Sequence, residues 1–342
     1  MNNNNKPEKV TIFDVAKEAQ VSKSTVSLVL TQSDKVSDKS REKVLHAIEK
    51  LGYVYNRDAA ALRSKRSNLV AIVINDLTNP YSAQLAIGLE KHIGALGMLP
   101  MLVNTNESFE RQKQVVNTLK EYNVAAFVMC PAPGTDKNWV NQLIQSGFPV
   151  INIMREVQYS DAPTILPDNQ KGTMLATEHL LSQGMKNLAF VGGTEDISDY
   201  HERLAGFNTA MRLHKEHTPS VIAPSQTNRQ GGREAFKELY ARSPDIEAIV
   251  CFSDVIAYGV IEEIRNAGLE PGIDIKVVGF DDLEDSRMMS PALSSVHINA
   301  NEIGKRTCLV LSELLDKSTP PLRTLVDVKL IVRASSDQRV IG

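Results

Sequence analysis

From residue 69 onward the chain repeats one alternation, a short apolar run rich in β-branched residues followed by a longer amphipathic stretch. The runs are LVAIVIN (69–75), LPMLVN (99–104), AAFVMC (125–130), PVINI (149–153), NLAFVGG (187–193), EAIVCF (247–252) and IKVVGF (275–280). Helix-like stretches lie between them near 81–97, 107–122, 138–146, 170–184, 201–216, 229–242 and 254–268. Strands that are apolar throughout, rather than at every second residue, are covered on both faces. Parallel sheets with helices on each side are therefore expected, which is a doubly wound α/β body. About 270 residues is long for one such sheet, and the pattern restarts at Asn187, so two lobes are expected. The last apolar segments, SSVHI (294–298) and LVDVKLIV (325–332), flank a helix-like stretch at 300–316 and are expected to finish one sheet each. This assigns about 68–165 and 294–322 to lobe one, and about 166–293 and 323–342 to lobe two.

The first 55 residues differ in kind, with no strand-like run. Three short helices are bounded by capping signals: Thr11 before IFDVAKEA, Ser22 before KSTVSLVL, and Ser37 before DKSREKVLHAIEKLG, which Gly52 ends. The break EAQVS between the first two has helix-turn-helix spacing. In such a motif the second helix lies in the major groove, with polar residues toward DNA and apolar ones toward the domain. SKSTVSLVLT (22–31) divides that way: Lys23, Ser24 and Ser27 are polar, whereas Val26, Val29 and Leu30 share an apolar face with Val15, Ala16 and Ala19. Taken alone, the same stretch also suits an ordinary capped surface helix. Charge favours a polyanion partner for the head. Residues 1–67 hold 13 lysines and arginines against 8 acids, and the rest of the chain holds 25 against 33.

Other classes find less support. No stretch approaches the roughly 18 apolar residues of a membrane span, and MNNNNKPEK lacks the apolar core of a secretory signal, so a cytoplasmic, non-membrane protein is expected. Cys130, Cys251 and Cys308 lie far apart beside apolar residues and read as buried free thiols, with no metal or cofactor motif. VGG (191–193) falls short of the dinucleotide fingerprint, and SREK (40–43) is explained by helix capping. An enzyme is not expected.

TIFDVAKEAQVSKSTVSLVL, then VSDKSREKVLHAIEKLGYVYN, then RDAAALRSKRS, followed by the two-lobed body, together resemble the lactose- and galactose-repressor (LacI/GalR) family of bacterial transcription regulators. The order of motifs and the short tail also resemble the maltose-system regulators of that family. The resemblance implies a DNA-binding domain at 1–55, a hinge at 56–67 and a periplasmic-binding-protein-like effector and dimerisation domain at 68–342. It implies that Lys23 and Ser24 reach bases, that Thr25 and Ser27 contact phosphates or bases, and that Thr11 and the helix start at Ser22 help. Leu28 stands where the family often places a long polar reader, and leucine makes no bidentate bond to guanine, though it suits a thymine methyl. In the hinge, the resemblance makes Leu62 a minor-groove wedge with Ala59 one turn earlier and Asn56 and Arg57 near the backbone.

Ligands of open α/β sheets bind beyond the carboxyl ends of strands. The polar residues that follow those ends include Tyr81 in NDLTNPYS, Asp168 in LPDN, Arg203 in HERLAGF, Ser253 and Asp254 in CFSD, and Asp281 in GFDD. By similarity to the family, Asp168, Arg203, Ser253 and Asp281 line the effector pocket. Purine-binding relatives stack the base between aromatics where Ser82 and Gln226 stand here, so a carbohydrate or sugar phosphate is the expected effector. The expected protein is a homodimeric repressor of a pseudo-palindromic double-stranded operator. A purine-like effector, or a sugar-binding module that does not act on DNA, are the alternatives. Either sign of control needs only a different preferred lobe geometry.

Overall fold

The computed structural model describes residues 10–31, 33–55, 67–214, 221–337 and 339. The chain divides into two compact units, Met1–Ser67 and Asn68–Gly342.

The first unit is three helices: α1 (Ile12–Ala19), α2 (Lys23–Leu30) and α3 (Asp38–Leu51). Thr11, Ser22 and Ser37 are their N-caps. Gln20 closes α1 in the left-handed region at φ 54°, and Gly52 closes α3 at φ 62°. Val15, Ala16, Ala19, Val26, Val29, Val44 and Ala47 form one buried core, with Leu30 packed at its margin. That core consumes one face of α2 and leaves the other to solvent.

The second unit holds two six-stranded sheets. The first has the order β11–β5–β4–β3–β1–β2 and is parallel throughout: β1 (Leu69–Ile74), β2 (Leu99–Asn104), β3 (Ala126–Met129), β4 (Val150–Ile153), β5 (Thr164–Pro167) and β11 (Arg323–Val326). The second has the order β12–β10–β9–β8–β6–β7: β6 (Leu188–Val191), β7 (Val221–Ala223), β8 (Ala248–Cys251), β9 (Lys276–Asp281), β10 (Ser294–Ile298) and β12 (Val328–Ile331). Only β12 runs antiparallel there. Alternate residues of β1 go to opposite faces, Val70, Ile72 and Ile74 toward α4 (Pro80–Ala95), Ala71 and Val73 toward α5 (Phe109–Glu121) and α6 (Lys137–Gln145). This is why the apolar runs are continuous rather than alternating. The remaining helices are α7 (Asn169–Ser182), α8 (Ser198–Leu213), α9 (Arg229–Arg242), α10 (Asp254–Asn266), α11 (Glu284–Met288) and α12 (Ala300–Leu315). Helices α4 and α12 cross at Gly88 and Gly304, where a Cβ on Gly304 would lie 2.2 Å from the Gly88 carbonyl oxygen. Only glycine allows backbones that close.

The lobe boundaries differ from those expected. SSVHI was assigned to the first lobe, yet as β10 it pairs with β9 in the second sheet. The segment from 323 was assigned to the second lobe, yet β11 pairs with β5 in the first. LVDVKLIV is in fact two strands, one for each sheet, and the chain changes lobes at Asp327 between them. The opening of lobe two also moves, since β5 stays in the first sheet through Pro167. Apolar runs covered on both faces carry no mark of which sheet they join, so periodicity finds the strands but not their partners. Cys130 and Cys251 are buried free thiols as expected, but Cys308 is half-buried, with its Sγ donating to the His92 carbonyl at 3.1 Å.

Candidate functional site

On the head, the open face of α2 carries Lys23, Ser24, Ser27 and Leu28, with Lys23 and Ser24 exposed and Thr25, Ser27 and Leu28 half-buried. The hydroxyls at its start are linked. Ser22 Oγ accepts from the Thr25 backbone N–H at 3.1 Å, and lies 2.7 Å from Ser24 Oγ and 2.9 Å from Thr25 Oγ1. Thr11, exposed at the start of α1, donates from its hydroxyl and its backbone N–H to the Asp14 carboxylate, at 2.6 and 2.8 Å. One residue absent from the sequence reading joins this face. Phe13 is 62% exposed, and the Lys23 ammonium stands 4.4 Å above its ring. The hinge residues Asn56, Arg57, Ala59 and Leu62 lie outside the described residues.

In the body, the carboxyl ends of the two sheets bring most of the expected residues together. Arg203, on α8, is buried between the rings of Phe252 and Phe280, with centroids 4.5 and 3.8 Å from its guanidinium carbon. Its Nε donates to Asn169 Oδ1 at 2.9 Å and its Nη1 to the Phe252 carbonyl. Asp281 closes β9 with φ at 119°, a region few non-glycine residues adopt, and its Oδ1 lies 4.0 Å from Arg203 Nη1. No described residue donates a hydrogen bond to its carboxylate, and burial pushes its pKa up against the opposing pull of Arg203. Tyr81, in the first turn of α4, is buried with no partner for its hydroxyl among the described residues. Burial raises its pKa well above the usual phenol value, and the charge of Asp281 adds to this, so the end of β1 faces the end of β9 across the lobes. Ser253 caps α10 with its hydroxyl buried and without a partner among the described residues. Asp168 caps α7, accepting from the Lys171 backbone N–H at 3.1 Å, and is half-buried at the chain's first change of lobe.

Asp254 is a correction. Its Oδ2 accepts from the Leu283 backbone N–H at 2.8 Å and from Ser286 Oγ at 2.6 Å, and its Oδ1 accepts from Ser295 Oγ at 2.6 Å. It fills the space left by Gly279, where a Cβ would lie 2.1 Å from Asp254 Oδ1. Both oxygens are spent inside the second lobe, and burial lifts its pKa to about 6 despite those donors. Ser82 is likewise turned inward, donating to the Asp76 carbonyl at 2.5 Å, while Gln226 is exposed.

A buried ion cluster completes the cleft and was missed from the sequence. Arg155, just beyond β4, grips Glu107 with both terminal nitrogens, at 2.6 and 2.9 Å, and its Nε reaches Asp199 of α8 in the other lobe at 3.3 Å. Burial opposes its charge, but the carboxylates of Asp199 and Glu107 more than offset this and hold its pKa above the usual arginine value. Beside it the Glu156 backbone N–H donates to Ser198 Oγ at 2.8 Å, and Arg323 of β11 pairs with Glu202 at 2.5 Å. Arg155 is itself a polar residue just past a strand end, the same local signal that marks Asp168 and Ser253.

Groove reading and small-ligand capture are thus built into one chain, which is the build of a ligand-controlled DNA-binding transcription regulator. Comparison with known proteins agrees. Residues 11–56 match the bacterial regulatory proteins of the lacI family, and residues 67–334 match the periplasmic binding proteins and sugar binding domain of the LacI family. The chain belongs to the LacI family. Among its relatives are the maltose regulon regulatory protein MalI of Escherichia coli, 30% identical over 87% of this chain and 90% of the relative, and the ribose operon repressor of Halalkalibacterium halodurans, 28% identical over 95% and 97%. A lac repressor dimer bound to operator and the anti-inducer ONPF has a similar structure, with TM-score 0.86, 25% identity, and coverage of 96% of this chain and 99% of that one. A CelR–cellobiose complex aligns at TM-score 0.74 and 25% identity, over 96% of this chain and 100% of that one.

Proposed function

We propose that this protein is a cytoplasmic, homodimeric repressor whose grip on a pseudo-palindromic operator is set by a small carbohydrate bound between the lobes. The observation that carries the reading is Asp281, a buried carboxylate with no donor among the described residues, beside Arg203 and the unpartnered hydroxyls of Tyr81 and Ser253. Buried polar groups without partners are costly, and a polyol would satisfy acceptor and hydroxyls together. The names of the relatives support this direction, since a ribose operon repressor and a cellobiose complex are among them.

On DNA, Lys23, Ser24, Ser27 and Leu28 meet base edges while Thr25 and the helix start at Ser22 meet phosphates. Asn56, Arg57, Ala59 and Leu62 form the hinge contact, with Leu62 as wedge. Ligand shifts the lobes and through them the hinge spacing, so that it changes the population able to bind DNA. Fluorescence anisotropy with genomic DNA fragments tests this. Salt-dependent, sequence-preferring binding that Leu62→Ala weakens is expected, and unselective binding under all sugar conditions contradicts it.

A further inference from the structure

We infer that Asp254 and Arg333 are positioning residues for Asp281: together they hold the turn between β9 and α11 in the form that presents its carboxylate to the cleft. This rests on the reading that Asp281 takes the ligand. Asp281 and Asp282 stand side by side at positive φ, 119° and 56°, where residues other than glycine are uncommon and strained. Such a backbone persists only where its surroundings over-determine it. The Asp281 side chain supplies no such hold, since no described residue donates to its carboxylate and Arg203 Nη1 stands 4.0 Å away. The hold comes from the two residues that follow.

Asp282 is buried, and its Oδ1 accepts from Arg333 Nη2 at 2.6 Å while its Oδ2 faces His297 Nδ1 at 3.0 Å and Arg287 Nη2 at 3.4 Å. Its backbone N–H donates to Ser295 Oγ at 3.0 Å, and that hydroxyl donates in turn to Asp254 Oδ1 at 2.6 Å. The next backbone N–H, of Leu283, donates to Asp254 Oδ2 at 2.8 Å, and Ser286 Oγ donates to the same oxygen at 2.6 Å. Asp254 thus fixes both N–H groups that follow Asp281, one directly and one through Ser295, with bonds strengthened by its charge. Arg333 arrives from elsewhere in the chain. It follows β12, the strand that enters the second lobe at Asp327, and it is itself anchored, with Nη1 on the Leu293 carbonyl and its backbone N–H on Ser294 Oγ, each at 2.7 Å. The turn of Asp281 is therefore tied to a segment that crosses between the lobes.

Crystal structures of the full-length protein as wild type, Asp254→Ala, Arg333→Met and the milder Ser295→Ala read the pose directly, and calorimetry with ribose, glucose, maltose, trehalose and cellobiose reads its use. In Asp254→Ala and Arg333→Met, Asp281 is expected to leave its φ of 119° and draw away from Arg203, with both sheets unchanged. The sugar that the wild type binds should bind these variants at least about tenfold more weakly. Ser295→Ala, which cuts only the link to the Asp282 N–H, should show the same change in lesser degree and decides the matter if the other two do not fold. Asp254→Asn, whose amide oxygen still accepts from Leu283, should restore the pose and most of the affinity. An Asp281 that stays in place in every folded variant overturns the inference, as does equal weakening by Asp254→Asn and Asp254→Ala. A displaced Asp281 with undiminished affinity bears the positioning out and removes Asp281 from the sugar site. A wild type silent toward every sugar removes the carbohydrate reading, and the pose in the variants still decides the inference.

Discussion

Arg155 of the first lobe lies 3.3 Å from Asp199 of the second, Nε to Oδ1, while its remaining nitrogens hold Glu107. The pair fastens the end of β4 to the start of α8. Removing a buried cation strands the carboxylates it served, at a cost of about 3–5 kcal/mol. Arg155→Met is therefore expected to lower unfolding stability in urea by that order, and Asp199→Asn, which leaves Glu107 paired, by less than half as much. Equal costs would mean that the contact between lobes, not the Glu107 pair, dominates.

Lys23 above Phe13 gives a prediction of a different kind. A cation held over an exposed ring gains about 0.5–1 kcal/mol, and it also arrives at DNA with fewer rotamers to lose. In a double-mutant cycle on operator affinity, Phe13→Ala should weaken the wild type by several-fold, Phe13→Tyr should not, and Phe13→Ala added to Lys23→Ala should do little more. The melting temperature should not move, since the ring is 62% exposed. The same loss in both backgrounds would show that Phe13 touches DNA on its own account.

Leu28 offers an apolar tip on the face of α2 that the head's core leaves open, the face proposed to enter the groove. DNA selected from a random pool by the wild type should lack a guanine preference at the position this residue reaches. Leu28→Arg should install one in each half-site, worth about 1–3 kcal/mol of discrimination. An unchanged selected sequence would remove Leu28 from the base-reading surface.

Asp254 gives a pH dependence. Burial raises its folded pKa to about 6, above the unfolded value near 3.9, so the folded state holds a proton that the unfolded state has lost between those limits. Its contribution is fully present below about pH 4 and is lost as pH rises through 6. Chemical unfolding of wild type and Asp254→Asn across this window should show the wild type losing about 1.4 kcal/mol more per pH unit. Parallel profiles would mean that its three donors, or water, offset the burial that raises it.

Much of this architecture is written in local patterns. The three head helices begin at the capping residues Thr11, Ser22 and Ser37, because a cap is decided by its own neighbours. The strands follow from β-branched runs for the same reason. What failed was long-range: β10 and β11 each joined the other lobe's sheet, because sheet partners are chosen by tertiary packing that no run of residues records. In the cleft, Arg203 and Asp281 come together from segments 78 positions apart in number. Asp254 did not, because nothing in CFSD tells that its carboxylate folds back over Gly279 toward Ser286 and Ser295. Arg155 escaped notice because its partners, Glu107 and Asp199, come from two other loops.

On the proposed function, a sugar held at Asp281 controls DNA binding by the head. The direct measurement is an anisotropy titration of labelled operator with wild type and Asp281→Asn, each with and without saturating amounts of the sugar identified by calorimetry. The wild-type operator Kd should move by about five- to 150-fold on adding sugar, in either direction. Asp281→Asn should keep the sugar-free Kd and show no response. A wild-type Kd that does not move at saturating sugar, or a variant that responds as the wild type does, would contradict the account.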